Sequence, residues 1–267
     1  MRPGRPSFTA GWVAAQRLRL DHQRPVIAGG DRDAERQLYL GFPRLLRVAA
    51  VRPTGMAART AFFDNETIRA IEGDIEQVVI LGAGYDGRAL RFRHGEMRWV
   101  EVDFPSTQVD KRRRLEALGV PLSHLRFAAV DLMSADLEAA LDQAGHLRDV
   151  PSLFMCEGLF AYLDPESGAA LCTTLRRRAP VGSVLAANFL VAPPTAVHGR
   201  LLRSSVDRLL ALVGEERRNQ FRPGDAERMI AGGGWSIVRY AASRPTATDV
   251  GTHMLGLAAV PTPAGGN

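Results

Sequence analysis

The chain has 267 residues, of which 46% are apolar and 24% charged, and its formal net charge is +5. That is enough apolar material for one large domain with a full core, while two cysteines, Cys156 and Cys172, exclude a disulfide framework and are not in metal-binding spacing. The positive balance does not indicate nucleic acid, because Lys111 is the only lysine and the arginines run from Arg2 to Arg244 without interleaved aromatics.

No stretch approaches the ~18 apolar residues of a membrane span, so no membrane partner is expected and a cytoplasmic protein is the reading. From Phe8 to about Ala70 there is no strand signal. FTAGWVAAQRLRL and QLYLGFPRLLRVAAV have helical spacing, as in Leu38, Phe42, Leu45, Leu46 and Ala49, and a further helix is predicted from near Thr54 through FFDNETIRAIE.

Alternation follows. QVVIL, MRWVEVD, LRFAAVD, PSLFMCEG and GSVLAANF are short strand-like runs. Helical stretches separate them: STQVDKRRRLEALG after Pro105, SADLEAALDQAG with Ser134 placed to cap it, and DPESGAALCTTLRRRA with Asp164 as cap and Pro165 in the first turn. Arg176 to Arg178 fall where cations complement a helix C-terminus. Beyond Phe189 a helical insertion is expected, then a helix over RPGDAERMIAG, a sixth strand over WSIVRY and a seventh over THMLGLAAV.

The fold class is therefore α/β: a Rossmann-like, seven-stranded, mostly parallel sheet with helices on both faces and an N-terminal helical lid. One domain is expected over 1–267, with the lid at 1–74, the cofactor-binding core at 75–190, the insertion at 191–225 and the last strands at 226–260.

Gly82, Gly84 and Gly87 satisfy G-x-G-x-x-G, and Glu101 or Asp103 lies near the ~20-residue offset at which a carboxylate meets a ribose. A dinucleotide and S-adenosylmethionine both fit that much. Asp131 at the end of the third strand, with Leu132 beside it, adds an acid and an apolar wall suited to adenine. Asp86 inside the turn would face a pyrophosphate across a poorly screened gap.

The strings RTAFFD (Arg59 to Asp64), QVVILGAGYDGRALRF, VEVDFP, AAVDL and CEGLFAYL, in that order, resemble the leucine carboxyl methyltransferase family. The resemblance implies a class I S-adenosylmethionine-dependent O-methyltransferase. Position by position, it implies that Arg59 reaches the methionine carboxylate, Gly82 and Gly84 let the backbone approach the methionine moiety, and Asp103 accepts both ribose hydroxyls. Asp131 and Leu132 would frame adenine, and Glu157 would lie near the methionine ammonium. The family's N-terminal basic contact has no clear match in this sequence; Arg17 and Arg19 are candidates, between which the sequence does not choose. Asp86-Gly87-Arg88 departs from the Asp-Thr-Arg or Asp-Ala-Arg of many relatives and creates the third glycine.

The expected acceptor is a small molecule bearing a carboxylate or a hydroxyl, within secondary metabolism; the alternatives are an NAD(P)-dependent oxidoreductase and a protein C-terminal carboxyl methyltransferase. Tyr162 is a candidate for touching the acceptor, against the alternative of a buried helix-end tyrosine. His94, His124, His146, His198 and His253 are scattered, and none marks itself as a general base.

Overall fold

In the computed structural model, residues 6–43, 55–73, 75–132, 136–191, 219, 221–222, 224–242 and 253–263 are described. Each apolar run predicted as a strand is one: β1 (Gln77–Leu81), β2 (Arg98–Asp103), β3 (Leu125–Ala129), β4 (Ser152–Cys156), β5 (Val184–Val191), β6 (Trp235–Ala242) and β7 (His253–Pro261). β1 and β4 are buried at every position, which is why they read as continuous apolar runs with no polar alternation.

The strands form one sheet in the order β3-β2-β1-β4-β5-β7-β6. The first five pair in parallel, and β7 runs antiparallel between β5 and β6. The chain winds outward from β1 to β3 and then returns to β4 on the other side of β1. A crevice therefore opens at the C-terminal ends of β1 and β4, the position where such sheets hold ligands.

Helices cover both faces: α1 (Phe8–Arg17), α2 (Arg32–Leu40), α3 (Met56–Glu72), α4 (Arg88–Arg91), α5 (Pro105–Ala117), α6 (Leu137–Gln143), α7 (Pro165–Arg177) and α8 (Asp225–Gly232), with a 3-10 turn over Leu18–Gln23. One core layer contains Val79, Leu81, Val102, Phe154 and Cys156, and the other Val78, Ile80, Trp99, Leu153 and Met155, so alternate residues of each strand feed opposite faces. α1, α2 and α3 supply Ala14, Leu38, Phe62 and Phe63 to the second layer.

Local chemistry explains the helix starts. Asp164 accepts from Ser167 N–H at 2.8 Å with Pro165 in the first turn, as the sequence predicts. At α6 the cap is Asp136, which accepts from Ala139 N–H at 3.1 Å; Ser134 lies outside the described residues. α3 begins at Met56 behind Gly55. Leu45, Leu46, Ala49 and Thr54, His198 and nearly all of the expected 191–225 insertion also lie outside the described residues.

The arginines at the end of α7 do more than complement a helix dipole. Arg176 donates to the carbonyls of Gly234 and Ala179 and Arg177 to Glu138, while Arg178 is wholly buried and pairs with Asp142 at 2.7 Å. Three adjacent, identical side chains thus acquire three different environments from the packing around them.

Candidate cofactor and acceptor site

The turn after β1 holds Gly82 and Gly84 at φ +67° and +50°, the left-handed region that side chains disfavour. Gly82 and Ala83 donate N–H to the carbonyl of Val102 at 2.8 and 3.1 Å, and Gly84 donates to Oδ2 of Asp103 at 2.6 Å. Oδ1 of Asp103 accepts from Phe104 N–H at 2.6 Å, so the acid that ends β2 grips the glycine turn directly. Glu101, the other acid allowed by the spacing, is fully buried and paired with Lys111. Burial pushes its carboxyl up to about 7 against the pull of that lysine. Of the two acids, only Asp103 stands at the strand tip.

β3 leaves the sheet beside the same point. Val130 N–H donates to the carbonyl of Asp103 at 2.9 Å, which sets Asp131 and Leu132 next to the β2 tip, with Leu132 partly buried against the core.

Glu157 follows β4 directly and is enclosed by three guanidiniums. Oε1 meets Nη2 of Arg17 at 2.7 Å and Nε of Arg59 at 2.9 Å; Oε2 meets Nη1 of Arg88 at 2.6 Å. Burial alone would raise this carboxyl, but Arg17, Arg88 and Arg59 together hold it at about 2. Asp86 lies in the glycine turn, accepts from Arg88 N–H at 2.8 Å and pairs with the guanidiniums of Arg88 and Arg17. Arg88, Arg17 and Lys111 hold it far below the usual carboxylate range in spite of its burial.

The network continues into the helical layer. Nε of Arg88 meets Oδ1 of Asp64 at 2.8 Å, and Arg91 bridges Asp64 and Glu35 at 2.7 and 3.0 Å. Glu35 also takes Arg24 and the hydroxyl of Tyr39. The connected groups are five guanidiniums (Arg17, Arg24, Arg59, Arg88, Arg91) and four carboxylates (Glu35, Asp64, Asp86, Glu157). Among the described residues these groups carry one more positive than negative charge, and the excess is best placed on Arg59, whose side chain alone of the five is appreciably open, at 18% exposure. A site with one surplus guanidinium, left-handed glycines and a strand-tip carboxylate fits an amino-acid carboxylate joined to a ribose.

The third glycine has a different cause. Gly87 has φ −104°, and a Cβ there would meet Glu35 Cγ at 2.3 Å, so it is the close approach of α2 that requires glycine. The Glu35 carboxylate thereby covers the start of α4, where a pyrophosphate would have to sit.

The sequence-predicted residues Arg59, Gly82, Gly84, Asp103, Asp131, Leu132 and Glu157 all fall at or next to the C-terminal tips of β1 to β4. Tyr162 is half-buried in a turn, not at a helix end, and lines a cleft of about 50 Å³ with Arg59, Gly158, Ala161, Asn188 and Leu190. Arg17, not the exposed Arg19, is the N-terminal cation that reaches this region. Sequence reasoning missed Glu35, Asp64, Arg88 and Asn188 as members of the site. For Asn188 a signal existed: it is the one polar residue in the apolar run of β5. Among the described residues no three His, Cys, Asp or Glu side chains form a metal-binding group, and no helix is long and apolar enough to cross a membrane.

Solved structures with this fold include magnesium protoporphyrin IX methyltransferase from Synechocystis PCC 6803 with bound SAH, at TM-score 0.54 and 15% identity over 86% of this chain and 93% of that one. A DUF574-family protein from Streptomyces avermitilis gives TM-score 0.59 and 18% identity over 97% and 98%. At these identities the likeness is one of fold, and the class it defines is the α/β methyltransferase architecture.

The profile of the family described as "Leucine carboxyl methyltransferase" matches residues 28–176, more than half of the chain, and the protein belongs to that family. A "Putative S-adenosyl-L-methionine-dependent methyltransferase" of Mycobacterium sp. (strain JLS) is 34% identical over 197 residues, 73% of this chain and 62% of that protein. The chain spans between 42% and 62% of the length of the curated relatives it matches.

Proposed function

We propose that this chain is an S-adenosylmethionine-dependent O-methyltransferase that acts on a carboxylate of a small molecule. The observation that carries the proposal is the 2.6 Å bond from Gly84 N–H to Asp103, which joins a glycine turn to a strand-tip acid in a sheet of methyltransferase topology. In this reading Arg59 pairs with the methionine carboxylate, for which guanidinium geometry is suited. Gly82 and Gly84 admit the methionine backbone, Asp103 accepts the ribose hydroxyls, Asp131 and Leu132 frame adenine, and Glu157 faces the ammonium. The helices before β1 act as a lid that completes the cage.

When bound, the sulfonium supplies an electrophilic methyl group. The chain's task is to align an acceptor oxygen behind that carbon and to exclude water, effects that can contribute about 7–11 kcal/mol. A carboxylate acceptor, with a pKa near ~4, is already ionised at neutral pH and needs no general base. His146 is buried against Ser152 and held at about 4 by its burial and by Arg178, and His124 pairs with the carbonyl of Ala89. Neither stands near the strand tips. Glu35 over the start of α4 weighs against the dinucleotide alternative.

Calorimetric titration with S-adenosylmethionine, S-adenosylhomocysteine and NAD tests the cofactor: the first two should bind and NAD should not, and binding of NAD alone would overturn the proposal. A screen of acids and phenols with labelled methyl donor tests the acceptor. Product that releases methanol in mild base is an ester; base-stable product places the methyl group on a hydroxyl instead.

A further inference from the structure

The small cleft that shares Arg59 with the proposed cofactor site contains a polar group given no part in cofactor binding above. Asn188 lies near the C-terminal end of β5 and is only 3% exposed. Its Oδ1 accepts from Gly158 N–H at 2.7 Å, no bond from its Nδ2 to another described residue is present, and the residue lines the cleft. Gly158 stands at φ +72°, and Nη1 of Arg59 lies over it, so near that a Cβ there would come within 3.5 Å. The cleft, at about 50 Å³, is larger than the ~10–15 Å³ that one water needs and admits a carboxylate head.

We propose that Asn188 orients the methyl acceptor, its Nδ2 donating to the carboxylate oxygen that does not react; this rests on the function proposed above. The bond to Gly158 fixes the amide, because a flipped Asn188 would set Nδ2 against an N–H and Oδ1 against the acceptor's charge. A neutral donor suits this role. It holds the idle oxygen without a free cation drawing charge from the reacting one, the charge of Arg59 being taken up by the methionine carboxylate in the reading above. The reacting oxygen's lone pair forms the new O–C bond while the electron pair of the broken S–C bond remains on sulfur. The carboxylate enters as its anion, so no proton moves.

The test uses benzoate as probe, titrated into the full chain saturated with S-adenosylhomocysteine and followed by saturation-transfer NMR. Asn188→Asp keeps an oxygen on Gly158 N–H but turns the free donor into an anion. It should weaken benzoate by roughly tenfold or more while S-adenosylhomocysteine affinity stays within about twofold. Asn188→Ser, which retains an acceptor and lacks the amide, should also lose benzoate and decides the matter should the aspartate variant fold poorly. Benzoate binding unchanged in the variants, absent from the wild type, or lost together with S-adenosylhomocysteine would each overturn the role of Asn188. Failure of the wild type to bind S-adenosylhomocysteine would instead overturn the cofactor reading on which it rests.

Discussion

Arg17, at the last turn of α1, lies 2.7 Å from Glu157, at the exit of β4, and both side chains are about 5% exposed. This pair ties the N-terminal helices to the sheet tips at the point where the cofactor is proposed to bind. Removing one partner of a buried pair leaves the other without full compensation, which is more damaging than the pair is stabilising.

Arg17→Met keeps the aliphatic stem and deletes the charge. Glu157 retains Arg59 and Arg88, so the loss should fall near the lower end for broken buried pairs, about 3 kcal/mol. Urea unfolding with an unchanged slope checks it; a loss below about 0.5 kcal/mol would place Arg17 among solvated surface pairs.

Glu157 and Glu101 should act on stability in opposite directions as pH changes. Glu157 is lowered from 4.5 to about 2 in the folded chain, so its contribution is present above 4.5 and is lost as pH falls toward 2. Glu101 is raised from 4.5 to about 7, so the folded state binds the extra proton in that window and stability declines as pH rises from 4.5 to 7. Urea midpoints between pH 3 and 8 should show a flatter acid limb in Glu157→Gln and a flatter neutral limb in Glu101→Gln.

Gly84→Ala meets two obstacles: φ is +50°, and the new Cβ would lie 2.7 Å from Cβ of Ala10 on α1. The expected cost is about 2–3 kcal/mol, from left-handed strain plus overpacking. Ala10→Gly removes the steric part alone, so the pair of changes should show a favourable coupling of about 1 kcal/mol in a double-mutant cycle. Strict additivity would mean that α1 does not rest on the turn.

Asp103→Asn should weaken S-adenosylhomocysteine by about 10- to 100-fold in calorimetry. Both carboxylate oxygens accept backbone N–H groups, so the amide must turn a donor toward Gly84 or Phe104, and the thermal transition should fall as well. Unchanged affinity would remove Asp103 from the cofactor site.

β1 and β4 were legible because burial on both faces demands unbroken apolar runs, and the cap at Asp164 because its partner lies three residues away. Glycines at 82 and 84 and acids at strand ends were likewise visible, since a strand's period places its last residue. Gly87 was legible as a glycine but not in its cause, because the Glu35 side chain that excludes a Cβ comes from a different helix. Spacing alone left Asp103 and Glu101 open, and the resemblance through VEVDFP chose Asp103; the choice of Arg17 over Arg19 was not legible, since the two offer the same chemistry two residues apart and only the packing of α1 decides which is buried and paired.

The sequence by itself determined the order of elements, the left-handed turn and the family, all of which rest on contacts between near neighbours or on short strings. Only the tertiary structure decided the charge pattern of the site: five arginines matched to four carboxylates drawn from α1 through β4. Ionic pairing between distant segments depends on which faces meet in a region where water is excluded, and no local periodicity carries that information.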